Sequence, residues 1–159
     1  MEEAAAAFRR ALTLDPELAH AHAWDGYNMA FLGHAEETLP AIERAIRLDP
    51  SERPRSVWLF FGGFAELLLG RTEAAIALLT RALRHNPTHT NSQFFLMAAL
   101  LATGRRGAAD LMQESLRQHY PGYSLKAFER LWLSRSASPV YRAQVYPLFE
   151  NIWALGAAS

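Results

Sequence analysis

Four prolines, Pro16, Pro50, Pro87 and Pro121, divide the chain at intervals of 34, 37 and 34 residues. Each closes a block of like spacing. Ala4, Phe8, Ala11 and Pro16 spell A-x3-F-x2-A-x4-P; the spacing returns as Thr38, Ile42, Ala45, Pro50 and as Ala75, Leu79, Ala82, Pro87. A weaker fourth copy is Ala109, Gln113, Leu116, Pro121. The first two blocks read "FRRALTLDP" and "IERAIRLDP". A recurrence of about 34 residues is the length of one supersecondary unit, too long for heptads and too short for a second domain. The chain is therefore an array of like units, with a three-residue insertion placed in "SERPRS".

Each recurring residue has a mechanical reason. Spacings of three, four and seven put the apolar residues on one face of a helix. Small residues such as Ala11, Ala45 and Ala82 allow a neighbouring helix to approach, and Gly26 and Gly63 do the same in the helix before. Gly33, Gly70 and Gly104 fall where that earlier helix must end, and glycine accepts the left-handed conformation that ends it. The prolines stop the second helix of each pair. Thr72 in "GRTEAA" reads as an N-cap. No sustained period-two alternation is bounded by hairpin turns, so nothing reads as strand.

With these blocks in view, the chain resembles the tetratricopeptide repeat (TPR) family, whose unit is a helix–turn–helix of about 34 residues. The resemblance covers about residues 1–121. The family's early tryptophan is replaced by His22, Leu59 and Gln93, and the tyrosine after the first glycine by Met29, Glu66 and Leu100. The resemblance implies an all-α, right-handed superhelix of antiparallel helix pairs with a C-terminal capping helix. It implies one domain, 1–159: a half repeat at 1–16, full repeats at 17–50, 51–87 and 88–121, and an atypical repeat with the cap at 122–159. Helices are expected at about 2–14, 18–32, 35–48, 55–69, 72–85, 89–103, 106–119, 124–133 and 139–155. The leading half repeat lacks its usual partner, so an upstream region or another element must cover Phe8. The tail "SPVYRAQVYPLFENIWALG" resembles the closing helix of TPR regions attached to bacterial regulators and adenylate cyclase-like proteins.

Composition narrows the function classes. Half of the 159 residues are hydrophobic and 20% are charged, as in a globular protein able to bury a core. The absence of cysteine excludes disulfides and thiolate metal sites. "MEEAAAAFRRAL" does not have the form of a signal peptide, and "SVWLFFGGFA" falls far short of the roughly 20 residues that span a bilayer. A cytoplasmic location away from membranes is expected. Formal charge is zero, yet residues 1–50 carry nine acidic and four basic side chains, and residues 51–159 carry seven and twelve. Such a chain can pack head to tail or steer a charged partner, or simply present an uneven solvated surface.

No catalytic constellation emerges. His20 and His22 point about 200° apart on a helix. His85 and His89 have a metal-pair spacing, but Pro87 interrupts the helix between them. No phosphate loop, nucleophile elbow or dinucleotide glycine pattern is present. "GRRG" (104–107) reads as a turn between helices, and Glu36 and Glu37 as carboxylates at a helix start. No enzyme activity, cofactor, metal or small-molecule substrate is expected. Arg53, Arg55, Arg81, Arg84, Arg105, Arg106 and Arg117 could form a basic stripe, but no reading module accompanies them, so nucleic acid is not the expected partner.

What the resemblance implies instead is a concave groove lined by the first helix of each pair. Its positions fall on Trp24, Tyr27 and Phe31, then Phe60, Phe61, Phe64 and Leu68, then Asn91, Phe94, Phe95 and Leu101. The family's carboxylate-binding version uses lysine, arginine and asparagine there, and only Asn91 is of that kind. An aromatic lining left open would be a larger apolar patch than monomers usually expose. The expected function is non-catalytic binding of an apolar or amphipathic peptide or helix of a protein partner. The alternative is a regulatory or structural segment of a larger bacterial transcription regulator or cyclase-like protein. Its groove would be filled by its own C-terminal helix, with Val145, Leu148, Phe149, Ile152 and Trp153 at helical spacing, or by a second copy in a homodimer.

Overall fold

In the computed structural model, the described residues are 2–51, 54–122 and 124–156, with side chains described at all of these except 151 and 153–156. Trp153, Arg53 and part of "SERPRS" therefore lie outside the described side chains. Nine α-helices follow one another among the described residues: α1 (Glu2–Leu14), α2 (Ala19–Leu32), α3 (Thr38–Leu48), α4 (Arg55–Leu68), α5 (Thr72–His85), α6 (Thr90–Ala102), α7 (Arg106–His119), α8 (Leu125–Leu133) and α9 (Pro139–Gly156). No strand occurs among the described residues. A 3₁₀ turn, Ala35–Glu37, leads into α3 and holds Glu36 and Glu37. None of the described helices is long and apolar enough to cross a membrane.

The three glycine stops work alike. Gly33, Gly70 and Gly104 have φ of +94°, +73° and +73°. At each, the glycine N–H bonds the carbonyl three residues back and the next N–H bonds the carbonyl five back: Gly33 to Ala30 with His34 to Met29, Gly70 to Leu67 with Arg71 to Glu66, Gly104 to Leu101 with Arg105 to Leu100. This paired closure satisfies the last carbonyls of α2, α4 and α6 and turns the chain back. The α5 start differs from the expectation. Arg71 is the capping residue, its side chain making no cap bond, and Thr72 is the first residue of the helix. Side-chain N-cap bonds come from Ser124, which accepts from the Ala127 N–H at 3.3 Å before α8, and from Ser138, which accepts from the Tyr141 N–H at 3.3 Å before α9.

The proline junctions have a second layer of design. Each proline lies two residues beyond its helix, and the residue before three of them closes a local turn. Asp15, Asp49 and Asn86 accept from the N–H of Glu17, Ser51 and Thr88 at 3.0, 2.9 and 3.2 Å. The proline carbonyls are also used. His22 Nε2 lies 2.8 Å from the Pro16 oxygen, Arg55 donates to Pro50 at 2.8 Å, and Gln93 donates to Pro87 at 2.9 Å. His22 and Gln93 stand where the resembled family has tryptophan; here a polar side chain ties the helix to the preceding junction instead.

Helices α2/α3, α4/α5 and α6/α7 pack as successive antiparallel pairs, with α1 against α2. Close approach is built in: a Cβ at Gly26 would stand 2.6 Å from the Ala41 Cβ, and one at Gly63 would stand 2.8 Å from Leu79. The first helices of the pairs, α2, α4 and α6, form the inner row. Helix α9 doubles back across all three.

Candidate functional site

The concave side of that inner row is an aromatic cluster. Tyr27 stacks on Phe61 with centroids 3.8 Å apart and rings 11° from parallel. Phe31 meets Phe64 at 5.6 Å, Phe64 meets Phe95 at 4.9 Å, and Phe94 meets Phe95 edge-on at 5.3 Å. Tyr27, Phe31, Phe60, Phe61, Phe64, Leu68, Phe94 and Phe95 are all buried. Asn91 and Leu101 are half-buried, and Trp24, 37% exposed, edges onto Phe61 at the mouth. The aromatic residues read as groove positions thus come together in one cluster.

That surface is covered by α8 and α9. From α8, the Trp132 indole reaches Phe95, Phe64 and Phe31 at 4.6, 5.0 and 6.0 Å, and Phe128 lies 3.8 Å from Phe94. From α9, Tyr141 reaches Phe31 at 5.1 Å and Phe149 reaches Phe94 at 5.7 Å. Val145, Leu148 and Ile152 are buried on the same face of α9. Trp132 and Tyr141, both 0% exposed, are the central plugs, and the repeat spacing points to neither. The signal was present: Leu125, Phe128 and Trp132 stand at i, i+3 and i+7, the stripe of an amphipathic helix.

Polar contacts anchor the cover. The Ser136 hydroxyl donates to the Phe31 carbonyl at 2.6 Å, and the Ser138 hydroxyl to the Leu32 carbonyl at 3.3 Å. The Tyr141 hydroxyl donates to the Trp132 carbonyl at 2.8 Å. Burial raises the pKa of both Tyr27 and Tyr141 well above the ordinary phenol value, so both stay neutral phenols. The Arg135 guanidinium lies 4.6 Å over the Trp132 ring and 5.8 Å over Phe31, a cation–π lid on the cluster.

The other candidate chemistry is dispersed. His20 edges onto Trp58 at 5.3 Å, His85 is exposed at the end of α5, and His89 packs on Phe60 at 5.2 Å with Ser92 Oγ 2.7 Å from its Nδ1. Burial pulls the His89 pKa down. Among the described residues no three histidines, aspartates or glutamates converge as for a metal. Arg105 makes a two-oxygen ion pair with Glu73 at 2.7 and 2.9 Å, Arg117 lies 3.7 Å from Glu114, and Arg55 is tied to Pro50. Asp25, its Oδ1 buried without a hydrogen-bond partner, has its pKa raised by desolvation, against the pull of Arg9.

The fold is similar to that of MamA, seen in a crystal structure, with a TM-score of 0.66 over 96% of this chain and 89% of that one at 17% identity. The chain has the same TPR-like superhelical architecture. No curated protein matches the sequence. Residues 1–120 match the family model described as "Bacterial transcriptional activator domain", a span that runs from α1 through α7 and stops before the covering helices. Since that match takes in most of its length, the chain belongs to the bacterial transcriptional activator domain family.

Proposed function

We propose that this is a non-catalytic interaction and regulatory domain, a TPR-type array of a half repeat at 1–16 and full repeats at 17–50, 51–87 and 88–121, followed by an atypical repeat and capping helix at 122–159. In this reading its ring-lined groove is a helix-binding site held by the chain's own tail. The observation that carries it is the placement of Trp132, Tyr141 and Phe149 on Phe31, Phe64, Phe94 and Phe95. This is a helix-in-groove complex formed within one chain, using the apolar anchors that such grooves use between chains. A partner's amphipathic helix, or α9 of a second copy, would compete for the same rings. The family's name supports a setting in bacterial transcriptional activators, where occupancy of the groove would be the regulated quantity.

A fluorescently labelled peptide of residues 139–152 tests this by anisotropy. Tyr141→Ala removes the Phe31 and Phe64 contacts and one hydrogen bond from the tail. The variant should keep its helical signal and bind the peptide more tightly than the parent chain. The second reading is that the rings are permanent core, which the 0% exposure of Phe64, Phe94 and Phe95 favours. Loss of helix in Tyr141→Ala, or a folded variant that ignores the peptide, would decide for it.

A further inference from the structure

On the face of α9 opposite the one packed into the groove lies an open cleft of about 950 Å³ between α8 and α9. Its apolar lining comes from Ala127, Leu133, Ala143, Tyr146 and Pro147. Its cations are Lys126, Arg130 and Arg142, against one carboxylate, Glu129. No salt bridge joins any of these four to another described residue. Tyr146 is 49% exposed.

The cleft has a topological cause. In the earlier pairs the two helices pack along their lengths, whereas α9 leaves α8 to lie across α2, α4 and α6. Helix α8 therefore buries Trp132 inward and keeps its other flank without a partner helix. Pro147, inside α9, has no N–H, so the carbonyl of Ala143, one of the cleft residues, lacks its helical donor.

From this geometry we infer that the α8–α9 cleft is a second docking surface, and that its occupant is an acidic amphipathic helix of a partner protein. The helix would lay an apolar stripe on Ala127, Leu133, Ala143 and Tyr146. Its flanking carboxylates would meet Lys126, Arg130 and Arg142, the excess of positive charge around the cleft setting the sign of the partner. Such a helix completes the stacked pair that α9 leaves unfinished. The surface is separate from the groove and does not depend on the tail being displaced.

The probe is a labelled synthetic helix of about 16 residues, with leucines at i, i+3, i+4 and i+7 and glutamates on both flanks. It is titrated with the full chain by anisotropy, beside a control helix with lysines in place of the glutamates. Saturable binding of the acidic helix alone is expected, weakening as salt is raised. It should fall about tenfold or more in Lys126→Glu/Arg130→Glu, whose side chains are exposed, and in Ala127→Trp, which fills the cleft without changing charge. Circular dichroism confirms that each variant keeps its helices. No binding of the acidic helix, equal binding of the basic one, or binding unchanged in both variants overturns the proposal. So does light scattering that shows the chain dimerising through this cleft, with the dimer lost in the same variants, because the occupant is then a second copy.

Discussion

The Ser136 hydroxyl and the Phe31 carbonyl are 105 residues apart in sequence and 2.6 Å apart in space. Phe31 lies in the last turn of α2, where carbonyls have no intrahelical donor. Ser136, with Ser138 on Leu32, supplies the missing donors from the turn between α8 and α9. The tail is thereby a capping element for the first full helix pair. Ser136→Ala should leave the Phe31 oxygen buried and unpaired, costing about 1–2 kcal/mol. Chemical denaturation measures the loss, and hydrogen exchange should quicken in α8 and α9 more than in α4.

Trp132 touches four rings of the inner row. Trp132→Ala should cost about 3–5 kcal/mol through lost burial and the cavity left behind. Trp132→Phe keeps part of the packing and should cost clearly less. Equal midpoints for the two variants in urea would show that α8 does not hold the cluster.

Gly26 and Gly70 are required for different reasons, and alanine should separate them. At Gly26 the added Cβ meets the Ala41 Cβ at 2.6 Å, and no rotamer change relieves it, so α3 must move. About 2–3 kcal/mol is expected. At Gly70 nothing stands within 4 Å, and only the positive φ is strained, at about 1–2 kcal/mol. Thermal midpoints of the two variants should fall in that order.

His89 gives the fold a dependence on pH. Burial against Phe60 disfavours its charged form, so its folded pKa lies below the unfolded value of about 6.5. Between the two values the unfolded chain holds more protons, so stability is lost as pH falls. The contribution is complete above about pH 6.5 and declines as pH drops toward the folded pKa. Stability measured at about pH 7.5 and 5.5 should differ less in His89→Gln than in the parent chain. An identical slope would assign the effect to other groups, with Asp25 of opposite sign, since its pKa is raised and its contribution fades as pH rises.

The periodic part of the molecule was legible in the residues alone. The Gly33, Gly70 and Gly104 stops, the Pro16, Pro50 and Pro87 junctions and the small faces of Gly26 and Gly63 act through local sterics and backbone hydrogen bonds, which recur wherever the same residues recur. They located the helices, and with them the row of rings on α2, α4 and α6. Thr72 is the local exception: its side chain was legible as a cap, but the glycine closure had already turned the chain, and the helix begins one residue earlier than that reading needs. What covers the rings was decided by tertiary structure alone. A stripe such as Leu125, Phe128 and Trp132 says that a helix has an apolar face, not which surface it meets. The Ser136 and Ser138 bonds and the turn they fix, by contrast, join residues more than a hundred positions apart and have no period to betray them. Burial is non-directional; the direction came from α9 crossing the inner row and from the unpaired carbonyls at the end of α2 that its approach satisfies.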